Sequence, residues 1–210
     1  MALTEDKRAE LLLAHYKDTY DNILYHWKTR NLLFTFALIL LSFMALDTYT
    51  PGLISQLVND YLTKNLGNEK QPFKHIDFSA IGSAIWFVLL YIVIQYYQKS
   101  ILVDRQYKYI SNLEDQICVA MGGDYVTREG KAYLSKTGVS NNNEKRPFYL
   151  RAVGPLYTFA FPLMLTIIVV VKMLRENMCP TNVFDYFNIL VGAAIVLYDI
   201  FYLTWVLRKK

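Results

Sequence analysis

Cysteine, histidine and known catalytic motifs are scarce in this chain of 210 residues, and each scarcity excludes a class of protein. Two cysteines are too few to form a disulfide-stabilised scaffold. There are three histidines, and the chain has no HExxH motif, no nucleophile elbow and no complete phosphate-binding glycine loop. We therefore predict that the chain is not an enzyme and that it carries no metal and no other cofactor.

Charge is also missing, or nearly so, from four long stretches of the sequence. Hydrophobic residues make up 54% of the chain, and they concentrate in these stretches, which excludes a disordered chain and disfavours a soluble domain. A bilayer core is crossed by about 20 helical residues. The sequence therefore predicts an all-α polytopic membrane protein with four transmembrane helices, at residues 31–50, 78–98, 152–171 and 186–207.

The basic residues between these stretches predict an orientation. An even number of spans places both termini on one side, together with residues 99–151. Of the 22 Lys and Arg residues, 17 lie on that side, and the other five lie in the loops 51–77 and 172–185 or next to them. Cytoplasmic segments are enriched in Lys and Arg, so residues 1–30, 99–151 and 208–210 are predicted to be cytoplasmic. The net charge of +4 then reflects topology, and no nucleic-acid partner is expected.

Two predicted cytoplasmic segments have the periodicity of amphipathic helices. The apolar residues of the first recur every three or four positions, and those of the second do the same. We expect the first segment to pack on the second as a helical stalk that ends at Gly122, the alternative being a helix that lies flat on the lipid surface. The stripes are Leu12, Tyr16, Tyr20, Ile23 and Trp27, and Val103, Tyr107, Ile110, Leu113 and Ile117.

Asp199 is the one charged residue inside the fourth apolar stretch. A carboxylate at bilayer depth costs about 2.5–3.5 kcal/mol on insertion scales, so it faces protein or a water path. Asp199 is therefore a candidate intramembrane polar site, either for a proton or cation or as a polar lock between subunits. The competing interpretation is that Asp199 only fastens the packing of the helices within the chain. The neighbouring Tyr198 and Tyr202 are candidate hydrogen-bond donors, and Gly192 would allow another helix to approach closely.

The central loop carries a second candidate site, a basic cytoplasmic patch. Such a cluster can bind lipid headgroups or an anionic ligand such as a nucleotide. The competing interpretation is that these residues only set the membrane orientation. The patch comprises Arg128, Lys131, Lys136, Lys145, Arg146 and Arg151.

Three segments of the sequence carry a family resemblance. They are LLLAHYKDTYDNILYHWKTRNLLF at 11–34, QYKYISNLEDQI at 106–117 and YVTREGKAYL at 125–134. Together they resemble small bacterial membrane proteins. The first two also resemble the SLATT layout, which has an aromatic-rich helix, two spans and a cytoplasmic helical extension. This resemblance covers the first 120 residues and implies a bacterial plasma-membrane effector of a nucleotide-linked conflict system. The third and fourth spans depart from the two-span pattern.

These observations give two functional hypotheses. The first is a non-enzymatic integral membrane protein that acts as an oligomeric effector or sensor module, with the lipid bilayer and a second copy or another membrane protein as partners. The alternative is a small transporter or channel subunit that uses Asp199 within the membrane.

Overall fold

The computed structural model describes residues 5–50, 56, 60–61, 64, 78–123, 130, 154–178 and 183–208. These residues are almost entirely helical and include no strand. A short π-helical turn, Leu156–Ala160, comes directly before the third of four long helices. The long helices are α1 (Glu5–Tyr49), α2 (Phe78–Met121), α3 (Phe161–Met178) and α4 (Val183–Arg208).

Each of the four long helices contains a stretch that is long and apolar enough to cross a membrane. The prediction of an all-α protein with four potential spans is therefore confirmed at this level. Large apolar side chains such as Phe36, Phe87 and Leu190 are exposed on these stretches. Such side chains are unfavourable in water and are typical of a surface that contacts lipid.

Helix α1 is unbroken over 45 residues because no glycine or proline occurs between Glu5 and Thr50. At 1.5 Å per residue it is about 68 Å long, which is more than twice the thickness of a bilayer core. It ends at Tyr49, two residues before Pro51, because the residue that precedes a proline disfavours the helical conformation.

Helix α2 ends in the glycine cap that the sequence predicts. Gly122 adopts a left-handed φ of 70°, which a residue with a side chain rarely takes. Its N–H donates to the carbonyl of Val119 at 3.4 Å, and the N–H of Gly123 donates to the carbonyl of Cys118 at 3.1 Å. This pair of hydrogen bonds is the Schellman motif, which satisfies the last carbonyl groups of the helix.

The contacts within the chain divide it into two compact units. Unit 1 comprises Met1–Leu33 and Gln95–Pro155, and unit 2 comprises Phe34–Ile94 and Leu156–Lys210. Each unit is therefore assembled from two separate stretches of sequence.

In unit 1, α1 and α2 pack against each other in antiparallel fashion. Hydrogen bonds join His26 to Lys99 and His15 to Tyr109, so the α2 partner moves forward along the sequence as the α1 partner moves back. Ile23, Val103 and Ile110 are buried in this unit. The two segments therefore pack on each other, as the sequence favoured over a helix lying on the lipid surface.

Trp27 departs from the predicted apolar stripe, because 45% of its surface is exposed. It lies four residues before the predicted start of the first span at residue 31. An indole ring combines a large apolar surface with an N–H donor, and such rings are enriched where a membrane meets water. The exposure of Trp27 is typical of a residue at that boundary.

In unit 2, α3 and α4 form an antiparallel pair. Thr166 of α3 contacts Asp199 of α4. Met173, seven residues further along α3, lies against Gly192, seven residues earlier on α4. The first part of this unit adds Phe34, whose ring meets those of Tyr157 and Phe161 edge-on at centroid distances of 4.7 and 5.0 Å. Edge-to-face aromatic pairs at this separation are favourable beyond the surface that they bury.

Candidate functional site

Asp199 lies on the buried face of α4, with 1% of its surface exposed. The buried residues Asn188, Gly192, Ile195, Asp199 and Tyr202 follow one another at steps of four, three, four and three. This spacing places them on one side of the helix. The carboxylate of Asp199 therefore faces the interior of unit 2, as the sequence predicted for a carboxylate within an apolar stretch.

The hydroxyl of Thr166 donates a hydrogen bond of 2.7 Å to Oδ2 of Asp199. Asp199 has further polar interactions in addition to this one. The sequence suggested Tyr198 and Tyr202 as donors, whereas Tyr198 is exposed and the donor in this hydrogen bond comes from the neighbouring helix. Thr166 is the lone hydroxyl among residues 161–171, and this isolation was the signal that could have identified it.

Gly192 brings α4 close to its neighbours, as the sequence predicted. A Cβ atom at this position would lie 2.7 Å from Sδ of Met173 and 3.2 Å from Cη2 of Trp86. Nearby on the same helix, Asn188 is buried. Among the described residues, Oδ1 of Asn188 and Nε1 of Trp86 have no hydrogen-bond partner. The interior of unit 2 is therefore tightly packed around a few polar groups.

Glu114 is a second buried carboxylate, which the sequence analysis did not identify. It is fully buried in unit 1, where its Oε1 accepts a 2.7 Å hydrogen bond from the backbone N–H of Gly130 and a 3.3 Å hydrogen bond from the hydroxyl of Tyr16. A signal for it was present. Glu114 follows Ile110 by four residues and precedes Ile117 by three, so it lies on the apolar face of α2.

Gly130 lies directly against the backbone of α2. A Cβ atom at this position would be 2.5 Å from the N atom of Ser111 and 2.6 Å from its Cα atom. Backbone atoms of a helix cannot move aside as a flexible side chain can. The absence of a side chain at Gly130 therefore allows its N–H to reach the carboxylate of Glu114.

The described residues also include one histidine with a perturbed pKa. Burial lowers the pKa of His26 below its usual value of 6.5, and the nearby charge of Lys99 lowers it further. Nζ of Lys99 lies 3.3 Å from Nδ1 of His26. An ammonium group only donates hydrogen bonds, so Nδ1 accepts and the proton of the neutral ring is on Nε2.

Of the predicted site residues, the structure describes Asp199 and leaves the basic patch outside its description. Asp199 has the buried polar environment described above. No group of three or more potential metal ligands occurs among the described residues. The basic patch lies outside the described residues, and it comprises Arg128, Lys131, Lys136, Lys145, Arg146 and Arg151.

These features describe a helical protein with four helices long and apolar enough to cross a membrane, and its described residues include a buried carboxylate in each of the two units. Comparison of the chain with protein-family models, with curated proteins and with solved structures finds no match.

Proposed function

We propose that this protein is a non-enzymatic integral membrane protein of the bacterial plasma membrane that acts as an oligomeric effector or sensor module. The observation that carries the proposal is the pairing of α1 with α2 in unit 1. Helices of 45 and 44 residues are about twice as long as a single bilayer crossing requires. Each therefore joins an apolar stretch to a charged stretch. The two charged stretches, residues 5–33 of α1 and 95–121 of α2, pair in antiparallel fashion and form a hairpin.

The composition of the hairpin supports an extramembrane location for it. Lys17, Asp21, Arg105 and Lys108 are exposed on its surface. Exposed charges of both signs are unfavourable in lipid and favourable in water. In the proposed orientation both termini and this hairpin are cytoplasmic, as a stalk on the inner face of the membrane, because the basic residues are concentrated there.

The polar contact in unit 2 supports a structural role for Asp199 in this proposal. A carboxylate that accepts a hydrogen bond from Thr166 joins two neighbouring helices within the apolar layer. Such a lock holds the spanning helices together, so that a change in one helix is passed to the other. The resemblance of residues 11–34 and 106–117 to the SLATT layout supports an effector role in the same membrane.

Chemical cross-linking of the full-length protein in its native membrane tests the oligomer. An amine-reactive reagent has exposed lysines to use on the hairpin, among them Lys17 and Lys108. We expect discrete dimers or higher oligomers at expression levels low enough to prevent random collision. A purely monomeric pattern, with a known oligomeric membrane protein cross-linked in the same sample, would contradict the proposal.

The burial of Asp199 supports a second candidate, a small transporter or channel subunit. Only 1% of this carboxylate is exposed, and the buried Asn188 lies on the same side of α4. Buried polar residues of this kind occur along ion and proton pathways. Replacement of Asp199 by Asn, which keeps the shape and removes the charge, would lower the flux of the conducted ion. If every measured flux were unchanged, this candidate would be rejected.

A further inference from the structure

An open groove of about 470 Å³ lies within unit 1, between α1 and α2. Its walls are polar on both helices, unlike the apolar interior of the hairpin. Two of its residues are joined by a hydrogen bond of 2.8 Å, between Nε2 of His15 and the hydroxyl of Tyr109, which links the two helices across the groove. The lining of the groove includes His15, Asp18 and Asn22 of α1, and Arg105, Gln106 and Tyr109 of α2.

Several polar groups in the groove are not used inside the chain. Asp18 and Arg105 have opposite charges, and neither forms an ion pair or hydrogen bond within the part of the chain that the structure describes. Oε1 of Gln106 is shielded from solvent and accepts no hydrogen bond from the described residues. A shielded polar atom without a partner is costly, so the polar groups on this side of the hairpin are not fully satisfied among the described residues.

The groove residues of α1 belong to a longer face of that helix, which has the spacing of a helix-pairing seam. Leu11, His15, Asp18, Asn22 and Tyr25 follow one another at steps of four, three, four and three. Leu11 is 54% exposed and Tyr25 is 63% exposed, so the polar centre of the seam has an exposed apolar residue at each end. This heptad spacing is typical of helices that pack against another helix along their length.

Asp18 and Arg105 lie at nearly the same height in the hairpin. Asp18 is eight residues before His26, and Arg105 is six residues after Lys99, the partner of His26. In an antiparallel pair this places the two charges within about 3 Å of each other along the helix axis. A twofold axis along the hairpin preserves height, so Asp18 of one copy would face Arg105 of the other, and the reverse pair would form as well.

We infer that this groove is the contact surface for a second copy of the same chain, whose hairpin completes a four-helix bundle. The inference rests on the oligomer of the proposed function and assigns its interface. A small ligand with one charge would leave either Asp18 or Arg105 unmatched, whereas a symmetric copy pairs both. Two hairpins that pack side by side form an ordinary four-helix arrangement, and the partner's side chains fill the groove.

Co-purification of two differently tagged full-length copies from detergent-solubilised membranes tests this surface. When both copies carry Asp18→Arg, like charges face each other across the proposed interface. The same is true when both copies carry Arg105→Asp. Because facing like charges are strongly unfavourable, we expect each variant to self-associate at least about tenfold more weakly than the unmodified protein. A mixture of the two variants would restore co-purification, since both facing pairs are then of opposite charge.

Asp21→Arg and Lys108→Asp are the matched controls, because both residues are exposed charges on the same helices outside the groove. We expect both to associate like the unmodified protein. Recovery in the mixture also shows that each single variant folds.

Unchanged association of both single variants would overturn the groove as the interface while leaving the oligomer in place. Co-purification of a different protein, lost in both single variants and not restored by mixing them, would also overturn the inference. A lack of association of the unmodified copies would overturn the proposed oligomer as well.

Discussion

The carboxylate of Glu114 binds two hydrogen-bond donors at once in the interior of unit 1. It accepts hydrogen bonds from the N–H of Gly130 and from the hydroxyl of Tyr16. A buried donor that loses its acceptor keeps the full cost of its lost hydration. Glu114 therefore stabilises the unit through the groups that it satisfies as much as through its own packing.

Replacement of Glu114 by Ala removes the acceptor of both hydrogen bonds and leaves a cavity. We expect the free energy of unfolding to fall by about 2–4 kcal/mol, from the unsatisfied donors and the lost packing together. Thermal unfolding of the solubilised protein, monitored by circular dichroism, would measure this. Glu114→Gln is the control, since its side-chain carbonyl can still accept from Gly130, and it should lose much less. Equal losses in the two variants would contradict the hydrogen-bond argument.

Replacement of Gly130 by Ala tests the close approach to α2. The added Cβ would meet backbone atoms of Ser111 at 2.5 and 2.6 Å, so Gly130 would have to move away and its hydrogen bond to Glu114 would lengthen. We expect a lower melting temperature and faster hydrogen exchange of the amide at position 130. Gly82→Ala is the matched control, because a Cβ at Gly82 meets nothing within 4 Å and alanine favours the helix by about 1 kcal/mol.

His26 makes the stability of unit 1 depend on pH. Its pKa in the folded protein is below 6.5, so between that pKa and 6.5 the unfolded chain binds more protons than the folded chain. The contribution of His26 to stability is therefore complete above pH 6.5 and is lost as the pH falls through this window. Replacement of Lys99 by Met removes the second cause of the shift and leaves burial, the larger cause, in place.

We expect Lys99→Met to raise the pKa of His26 towards 6.5 without reaching it, because the burial of the ring persists. An NMR titration of the His26 imidazole would measure the change. Lys28→Met is the control, because Lys28 is exposed and is not a cause of the His26 shift. A pKa that stayed the same in Lys99→Met would show that the charge of Lys99 does not act on the ring.

At the scale of elements, the contact between Thr166 and Asp199 is a test of how α3 and α4 are held together. A double-mutant cycle of Thr166→Val and Asp199→Leu would separate their mutual interaction from the effect of each change alone. Polar contacts between helices in membranes couple by about 0.6 kcal/mol on average and by up to about 1.7 kcal/mol, and we expect a value in this range. Steric-trap unfolding in bicelles would measure it, and additive effects would exclude the lock.

The elements differ in how well the sequence predicted them. The continuous helix α1 follows from the absence of glycine and proline, and Gly122 predicted the end of α2, because these signals are local to the chain. The hydrogen bond from Thr166 to Asp199 was not predicted, because it depends on the register between α3 and α4, and helical periodicity alone does not contain that register. Glu114 was missed for a related reason, since its acceptor role becomes visible only once Gly130 is placed against α2.

At the scale of the whole molecule, the distribution of basic residues predicts the orientation in the membrane. We expect a reporter that is active only outside the cytoplasm to be silent at both termini and active when inserted at residue 68 or 180, within the two predicted outer loops. A reporter that is active only in the cytoplasm should give the reverse pattern at all four positions. An external N-terminus would overturn the topology.

The division of the chain into two units determines when unit 1 can assemble during synthesis. Unit 1 joins Met1–Leu33 to Gln95–Pro155, so its first half leaves the ribosome more than sixty residues before its second half. During that interval the apolar surface of Ile23 has no α2 to cover it, and two apolar stretches reach the membrane first. The hairpin is therefore a late product of translation, and a nascent chain that stalls before residue 95 would present an uncovered amphipathic helix to chaperones.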